Sequence, residues 1–169
     1  MSEYDINSDG VEDDSMTVEY TDGSTGVAVD TDHDGYADGA AVDDDGDGNP
    51  ETTDYDSDND NAMDTRVHDL DDDGDPDSME ADTNADGRVD VTGYDTNDDS
   101  RVDTAYGDTD FDGRVDTAAA DTNFDGRVDS TAVDPDEDGN VDRHTYDSDG
   151  DGVADTVRYG DADTNPYAN

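Results

Sequence analysis

The sequence predicts an all-β solenoid built from ten tandem 13-residue repeats, each a loop followed by a short strand. Three observations predict it. The segments Asp108–Ala120 (DTDFDGRVDTAAA) and Asp121–Val133 (DTNFDGRVDSTAV) are near-copies set end to end, and repetition at a fixed period is the signature of stacked architectures. The same register runs from Asp30 to Tyr159 without insertion or deletion. No window carries a helical period, whereas RVDTAAA, RVDSTAV and VADTVRY are rich in strand formers.

Residues 1–29 precede the array. Asp5, Asn7, Asp9 and Asp13 have the spacing of one further loop. Residues 16–20 (MTVEY) alternate apolar and polar, Thr21-Asp22-Gly23-Ser24 is a turn signal, and residues 26–29 (GVAV) suit a strand. Together they predict a β-hairpin, expected to cap the first repeat. In the array, residues 30–159, each repeat reads as a loop of about seven residues and a strand over positions 8 to 13. The simplest winding is a flattened β-roll with two repeats per coil. Its coils stack about 4.8 Å apart, with loops along both long edges and the aliphatic at position 8 in a thin core. After Tyr159 the register is lost, and Asp161, Asp163 and Asn165 leave an incomplete loop in the tail, residues 160–169.

The columns of the array carry the chemistry. Position 1 is Asp in every repeat: Asp30, Asp43, Asp56, Asp69, Asp82, Asp95, Asp108, Asp121, Asp134 and Asp147. Position 3 is Asp32, Asp45, Asp58, Asp71, Asn84, Asn97, Asp110, Asn123, Asp136 and Asp149. Position 5 is Asp34, Asp47, Asp60, Asp73, Asp86, Asp99, Asp112, Asp125, Asp138 and Asp151. Position 9 is Asp38, Glu51, Asp64, Asp77, Asp90, Asp103, Asp116, Asp129, Asp142 and Asp155. Position 6 is Gly in all but Asn61 and Ser100, and position 8 is apolar throughout.

D-x-[DN]-x-D-G-x-x-D matches the first nine positions of a calcium loop. Calcium takes six to eight hard oxygens at roughly 2.3–2.6 Å. Side chains at positions 1, 3 and 5 converge on one centre as the chain curls, position 6 turns sharply, and position 7 offers its carbonyl. Position 9 adds a fourth side chain, directly or through water. Magnesium demands a tighter octahedron. Zinc is disfavoured because the chain has no Cys and only three His, in three different columns. A randomly acidic chain would not confine Asp to these columns.

The repeats resemble the calcium loops of thrombospondin type 3 and dockerin repeats, variants of the EF-hand loop. Their period resembles the calcium β-rolls of RTX proteins, without the RTX nonapeptide. The resemblance covers Asp30 to Tyr159. It implies about one calcium per repeat, ten or eleven in all, and leaves open a calcium wire with little regular sheet. One departure is plain: the EF-hand Glu at position 12 is replaced by a mixed column, from Ala41 and Asp54 to Arg158. Water or a neighbouring repeat is then needed to complete each shell.

Composition sets the rest. The chain has 54 acidic and seven basic residues, a net charge of −47, and 28% apolar residues, a profile typical of disorder. Two carboxylates about 4 Å apart repel by roughly 1 kcal/mol even in water, so metal-free loops oppose folding and folding is expected to follow calcium binding. One divalent ion per repeat brings the net charge from −47 to about −27. Arg88, Arg101, Arg114 and Arg127 all stand at position 7 of consecutive repeats, where they are expected to bridge carboxylates of adjacent loops.

The expected role is a structural, adhesion or spacer module, monomeric, outside the cell or on its surface, where calcium is millimolar; the alternative location is the cytoplasm of a halophile. Residues 1–30 show no signal-peptide pattern and no stretch suits a membrane span. The partner, beyond calcium itself, is an unidentified protein or cell surface; nucleic acid is disfavoured by the charge. Alternative functions are a calcium or lanthanide buffer and, below it, an acidic nucleic-acid mimic or, from the threonines at position 2, an ice-binding solenoid. No nucleophile–base pair points to an enzyme.

Overall fold

A computed structural model of the chain describes residues 13–160, which contain strands, turns and irregular loops and no helix. Asp5, Asn7 and Asp9 of the N-terminal loop and Asp161, Asp163 and Asn165 of the tail lie outside the described residues. The strands in order are β1 Asp14–Glu19, β2 Thr25–Asp30, β3 Gly39–Asp43, β4 Thr52–Tyr55, β5 Thr65–His68, β6 Ser78–Ala81, β7 Val91–Tyr94, β8 Thr104–Gly107, β9 Thr117–Ala120, β10 Ser130–Val133, β11 Arg143–Tyr146 and β12 Thr156–Tyr159. The chain divides between Met79 and Glu80 into two compact units, with β6 lying across the division.

In the N-terminal unit β1 to β5 pair in chain order, every pair antiparallel. The predicted hairpin is β1 and β2. Its turn is closed by Tyr20 N–H to the Ser24 carbonyl and by Ser24 Oγ to Asp22. In the C-terminal unit β7 to β12 likewise pair antiparallel in chain order. All-β class and strict repetition are therefore as the sequence predicts.

The winding differs from the expected coil. Two repeats per coil would stack repeat n on repeat n+2 in parallel, whereas here repeat n pairs with n+1 as a meander. The cause lies at the loop ends. The N–H of position 9 donates to the position 13 carbonyl of the preceding strand, as in Asp38 to Val29, Asp116 to Gly107 and Asp142 to Val133, at 2.8 to 3.0 Å. Each nine-residue loop thus closes a hairpin and reverses the chain. Loops still occupy both sheet edges, and those two repeats apart are neighbours along one edge. Asp56 N–H donates to the Asp38 carbonyl at 2.9 Å, and Asp108 N–H to the Asp90 carbonyl at 2.8 Å.

Position 8 does not form a core. The strands begin at position 10 rather than 8, so position 8 belongs to the loop, and Val89, Val102, Val115 and Val128 are 44–59% exposed. Among the described residues the buried ones are Ala81, Gly93 and otherwise aspartates. They are mainly position 1 (Asp43, Asp56, Asp69, Asp108, Asp121, Asp147) and position 9 (Asp90, Asp103, Asp116, Asp142). The protected interior of this fold is therefore made of loop-end carboxylates, which fits its low apolar content.

The strands bring small clusters together. Position 10 stands opposite position 13 and position 11 opposite position 12, as in Thr104 with Ala120 and Ala105 with Ala119. Tyr94 and Tyr106 meet edge to face at 6.3 Å. His144 stacks on Tyr146, which also carries the Arg158 guanidinium 5.3 Å from its ring centre. Arg66 and Asp54, direct cross-strand partners, form an ion pair at 2.6 Å. Among the described residues no helix is long and apolar enough to cross a membrane.

Candidate metal centre

Each loop is organised around its position 1 carboxylate. In the loop at Asp121, Oδ1 accepts the N–H of Phe124 at 2.8 Å and Oδ2 that of Gly126 at 2.7 Å. The same pair of bonds recurs at Asp30, Asp43, Asp69 and Asp147. Asp95 is a variant, accepting from Asn97, Asp98 and Arg101. Its burial acts to raise its pKa, but these N–H groups outweigh that and hold it below the ordinary carboxylate value.

N–H groups converging on one carboxylate form an anion-binding concavity like a backbone nest, and here two residues of each such loop are left-handed. Position 6 is one of them, with φ from 65° at Ser100 to 104° at Gly48. Position 4 is the other, which the sequence reading does not anticipate. His33, Asn59, Asp72, Ala85, Asp98, Phe111, Phe124 and Glu137 all have φ between 54° and 65°.

Position 9 closes the loop. Thr31, Thr83, Thr96, Thr109 and Thr122 at position 2 each donate backbone N–H and hydroxyl to the Asp seven residues on. Ser57 and Ser148 do the same for Asp64 and Asp155. Asp44 and Leu70 use the backbone N–H, to Glu51 at 2.6 Å and to Asp77 at 2.5 Å. The hydroxyl bonds hold the Asp38, Asp129 and Asp155 pKa values down. At Asp116 burial acts to raise the pKa, and hydrogen bonds from Thr109 and Thr117 overcome it. The threonine column is thus explained inside the loop.

What remains at the centre are positions 1, 3 and 5. Carboxylate oxygens of Asp30, Asp32 and Asp34 all lie within 4.8 Å of one another, and so do those of Asp43/Asp45/Asp47, Asp56/Asp58/Asp60 and Asp69/Asp71/Asp73. Oxygens on opposite sides of one calcium ion stand roughly 4.6–5.2 Å apart, so each group is the right size for one such ion. Position 3 is oriented by the N–H of position 5, and position 5 by that of position 7, as in Asp47 to Asp45 at 3.0 Å and Asn49 to Asp47 at 2.8 Å. Like charges crowd position 3 in the loops at Asp56 and Asp69. Asp73 chiefly raises the Asp71 pKa; burial, then Asp60, Asp64 and Asp56, raise that of Asp58.

Comparison with protein-family models, with curated proteins and with solved structures finds no match. The reading of these loops therefore stands on their geometry.

Neighbouring loops of one edge meet through positions 4 and 7. Asn59 Nδ2 at position 4 donates to Asp32 Oδ2 of the loop two repeats back, at 3.0 Å. Arg114 Nη1 lies 3.0 Å from Glu137 Oε2, and Arg127 Nη1 donates to the Gly150 carbonyl. Arg88 and Arg101 lie against Gly113 and Gly126 of the loop two repeats on. The expected bridging of carboxylates is thus realised at Arg114, while Arg127 takes a carbonyl and the spacing is two repeats rather than one. Asp72, also at position 4, stands with Asp45 and Glu51 in a further group of carboxylates. Burial, then Asp47, Asp45 and Glu51, push its pKa up.

Outside the loops, an apolar depression of about 310 Å³ lies over Val27, Val29, Ala41, Thr53 and Tyr55. The carboxylate lining it, Asp38, is engaged by Thr31.

Proposed function

We propose that the chain is a multi-site calcium-binding repeat protein that folds on binding calcium, with about one ion per loop. The observation that carries this reading is the convergence of positions 1, 3 and 5 within 4.8 Å in the loops at Asp30, Asp43, Asp56 and Asp69. Positions 1 and 9 are the scaffold: they gather backbone N–H groups and hydroxyls and fix the loop. Positions 3 and 5 supply carboxylate charge to the ion, the position 7 carbonyl adds an oxygen, and water completes the shell in place of the missing position 12 Glu. The resemblance to thrombospondin type 3 and dockerin loops supports the same ion.

With an interior of carboxylates and almost no buried apolar surface, hydrophobic burial contributes little and bound cations are what hold the loops closed. The biological use that fits is an extracellular spacer or adhesion module, rigid in calcium and loose without it. The test is a calcium titration of metal-stripped protein followed by circular dichroism and calorimetry, with magnesium as control. A coil spectrum turning to β with about ten ions taken up is the expected result. A chain that is equally folded without metal, or that takes up no calcium, would refute the proposal.

A further inference from the structure

We infer that the two units close at different cation concentrations, the C-terminal unit first, because only it carries a ladder of arginines between neighbouring loops. This rests on the reading of the loops as calcium sites, but its electrostatic basis is separate.

Arg88, Arg101, Arg114 and Arg127 each project from position 7 onto the loop two repeats on. Arg114 reaches Glu137 at 3.0 Å and Arg127 the Gly150 carbonyl. Arg88 Nη1 stands 3.3 Å from where a Cβ on Gly113 would be, and Arg101 Nη1 2.8 Å from that point on Gly126. Two arginines thus serve each edge, laid between loops that would otherwise present only carboxylates to one another.

The N-terminal unit has the same slot without the cation. Asn49 Oδ1 lies 3.7 Å from the Cβ point of Gly74, the same position 7 to position 6 approach. Beside it Asp72 faces Asp45 and Glu51 with no positive charge between them. Arg66, the single arginine of residues 13–79, is in a strand and paired with Asp54. Counted over nine residues, the loops at Asp30, Asp43, Asp56 and Asp69 carry −4, −5, −4 and −6, and those at Asp82, Asp95, Asp108 and Asp121 carry −2, −3, −3 and −2. The last two loops of the C-terminal unit, at Asp134 and Asp147, carry −5 and −4, but each receives a ladder arginine from two repeats back, Arg114 at Glu137 and Arg127 at the Gly150 carbonyl. Like charges this close oppose closure until screened or neutralised. The N-terminal unit therefore needs more cation.

Hydrogen exchange read by mass spectrometry on the full chain tests this, across a calcium series and, separately, a sodium chloride series without calcium. Peptides from β7–β12 are expected to gain protection at a concentration lower by about twofold or more than peptides from β1–β5, in whichever series protects the chain, since screening acts on the same charges. Asn49→Arg should move the N-terminal midpoint down towards the C-terminal one. Replacing all four ladder arginines by Gln should move the C-terminal midpoint up. Coincident midpoints in the wild-type chain, or an unmoved N-terminal midpoint in Asn49→Arg, would overturn the inference. Calcium and sodium protecting equally at matched ionic strength, with the order kept, would sink the calcium reading and leave the ladder standing.

Discussion

Thr109 gives both its backbone N–H, at 3.1 Å, and its hydroxyl, at 2.7 Å, to one oxygen of Asp116, seven residues on. The bond closes the loop around its centre without entering it. Thr109→Val keeps the shape and removes the hydroxyl, and should lower the stability of the calcium-loaded chain by about 1 kcal/mol with the number of bound ions unchanged. Leu70, 75% exposed, is the natural counterpart, since its N–H already donates to Asp77 at 2.5 Å. Leu70→Thr supplies the absent hydroxyl and should raise stability by a similar amount, about 1 kcal/mol. Thermal melts at saturating calcium measure both. A fall in ion count in Thr109→Val would mean that position 9 acts as a ligand first.

The scaffold and the centre respond oppositely to pH. Asp38, Asp129 and Asp155 are held below their ordinary value of 3.8 by hydroxyl hydrogen bonds. Their contribution is present above that value and is lost as pH falls through the lower folded-state pKa. Burial and like charges at Asp58, and like charges first at Asp71, raise those groups above 3.8. A raised carboxylate favours the fold below the unfolded value, and that contribution is lost as pH rises through the folded-state pKa. Metal-stripped protein, a coil at neutral pH, should therefore shift towards β structure on mild acidification and lose it again below about 3.8. Calcium-loaded protein should only lose stability, because protons compete with the ion. Circular dichroism from pH 3 to 7, with chelator and with calcium, gives the two curves, and a chelator curve that stays coil throughout would contradict the assignment of repulsion to Asp58 and Asp71.

Gly87 and Gly126 occupy the same left-handed place, with φ of 87° and 85°. A Cβ on Gly87 meets nothing within 4 Å, whereas one on Gly126 meets Arg101 Nη1 at 2.8 Å. Gly87→Ala should incur only the backbone cost, about 1 kcal/mol. Gly126→Ala should cost visibly more, and Arg101→Gln in the same chain should recover most of the excess. Equal losses in the two single variants would place the Arg101 guanidinium elsewhere.

The repeat, the strand-rich second half of each unit and the inward positions 1, 3 and 5 were legible because each is a column of one residue type with one physical job. The winding was not, because a period of 13 suits a coil and a meander equally; the hydrogen bond from Asp116 N–H to the Gly107 carbonyl decides it. Position 8 misled because an apolar column suggests a core, yet Val115 is 59% exposed and Asp116 beside it is buried. The Thr column looked like a surface array when read apart from Asp seven residues away. Position 4 was hidden for a different reason. His33, Gly46, Asn59, Asp72, Asp98 and Gly150 tolerate a left-handed backbone, but Ala85, Phe111, Phe124 and Glu137 in the same column do not.

That last group holds stability in reserve. Ala85 sits at φ 58° with its Cβ in an unfavourable place, at about 1–2 kcal/mol. Ala85→Gly removes that cost and loses about 0.4–1 kcal/mol through the freer unfolded chain, so the net effect should be a modest gain. Ala118 in β9 provides the control: it is in an extended strand, where Gly has no left-handed advantage, and Ala118→Gly should destabilise by roughly 0.5–1 kcal/mol. Opposite signs in calcium-loaded melts are the expected pattern. A loss at both sites would mean that Ala85 does not keep its left-handed φ of 58° in solution.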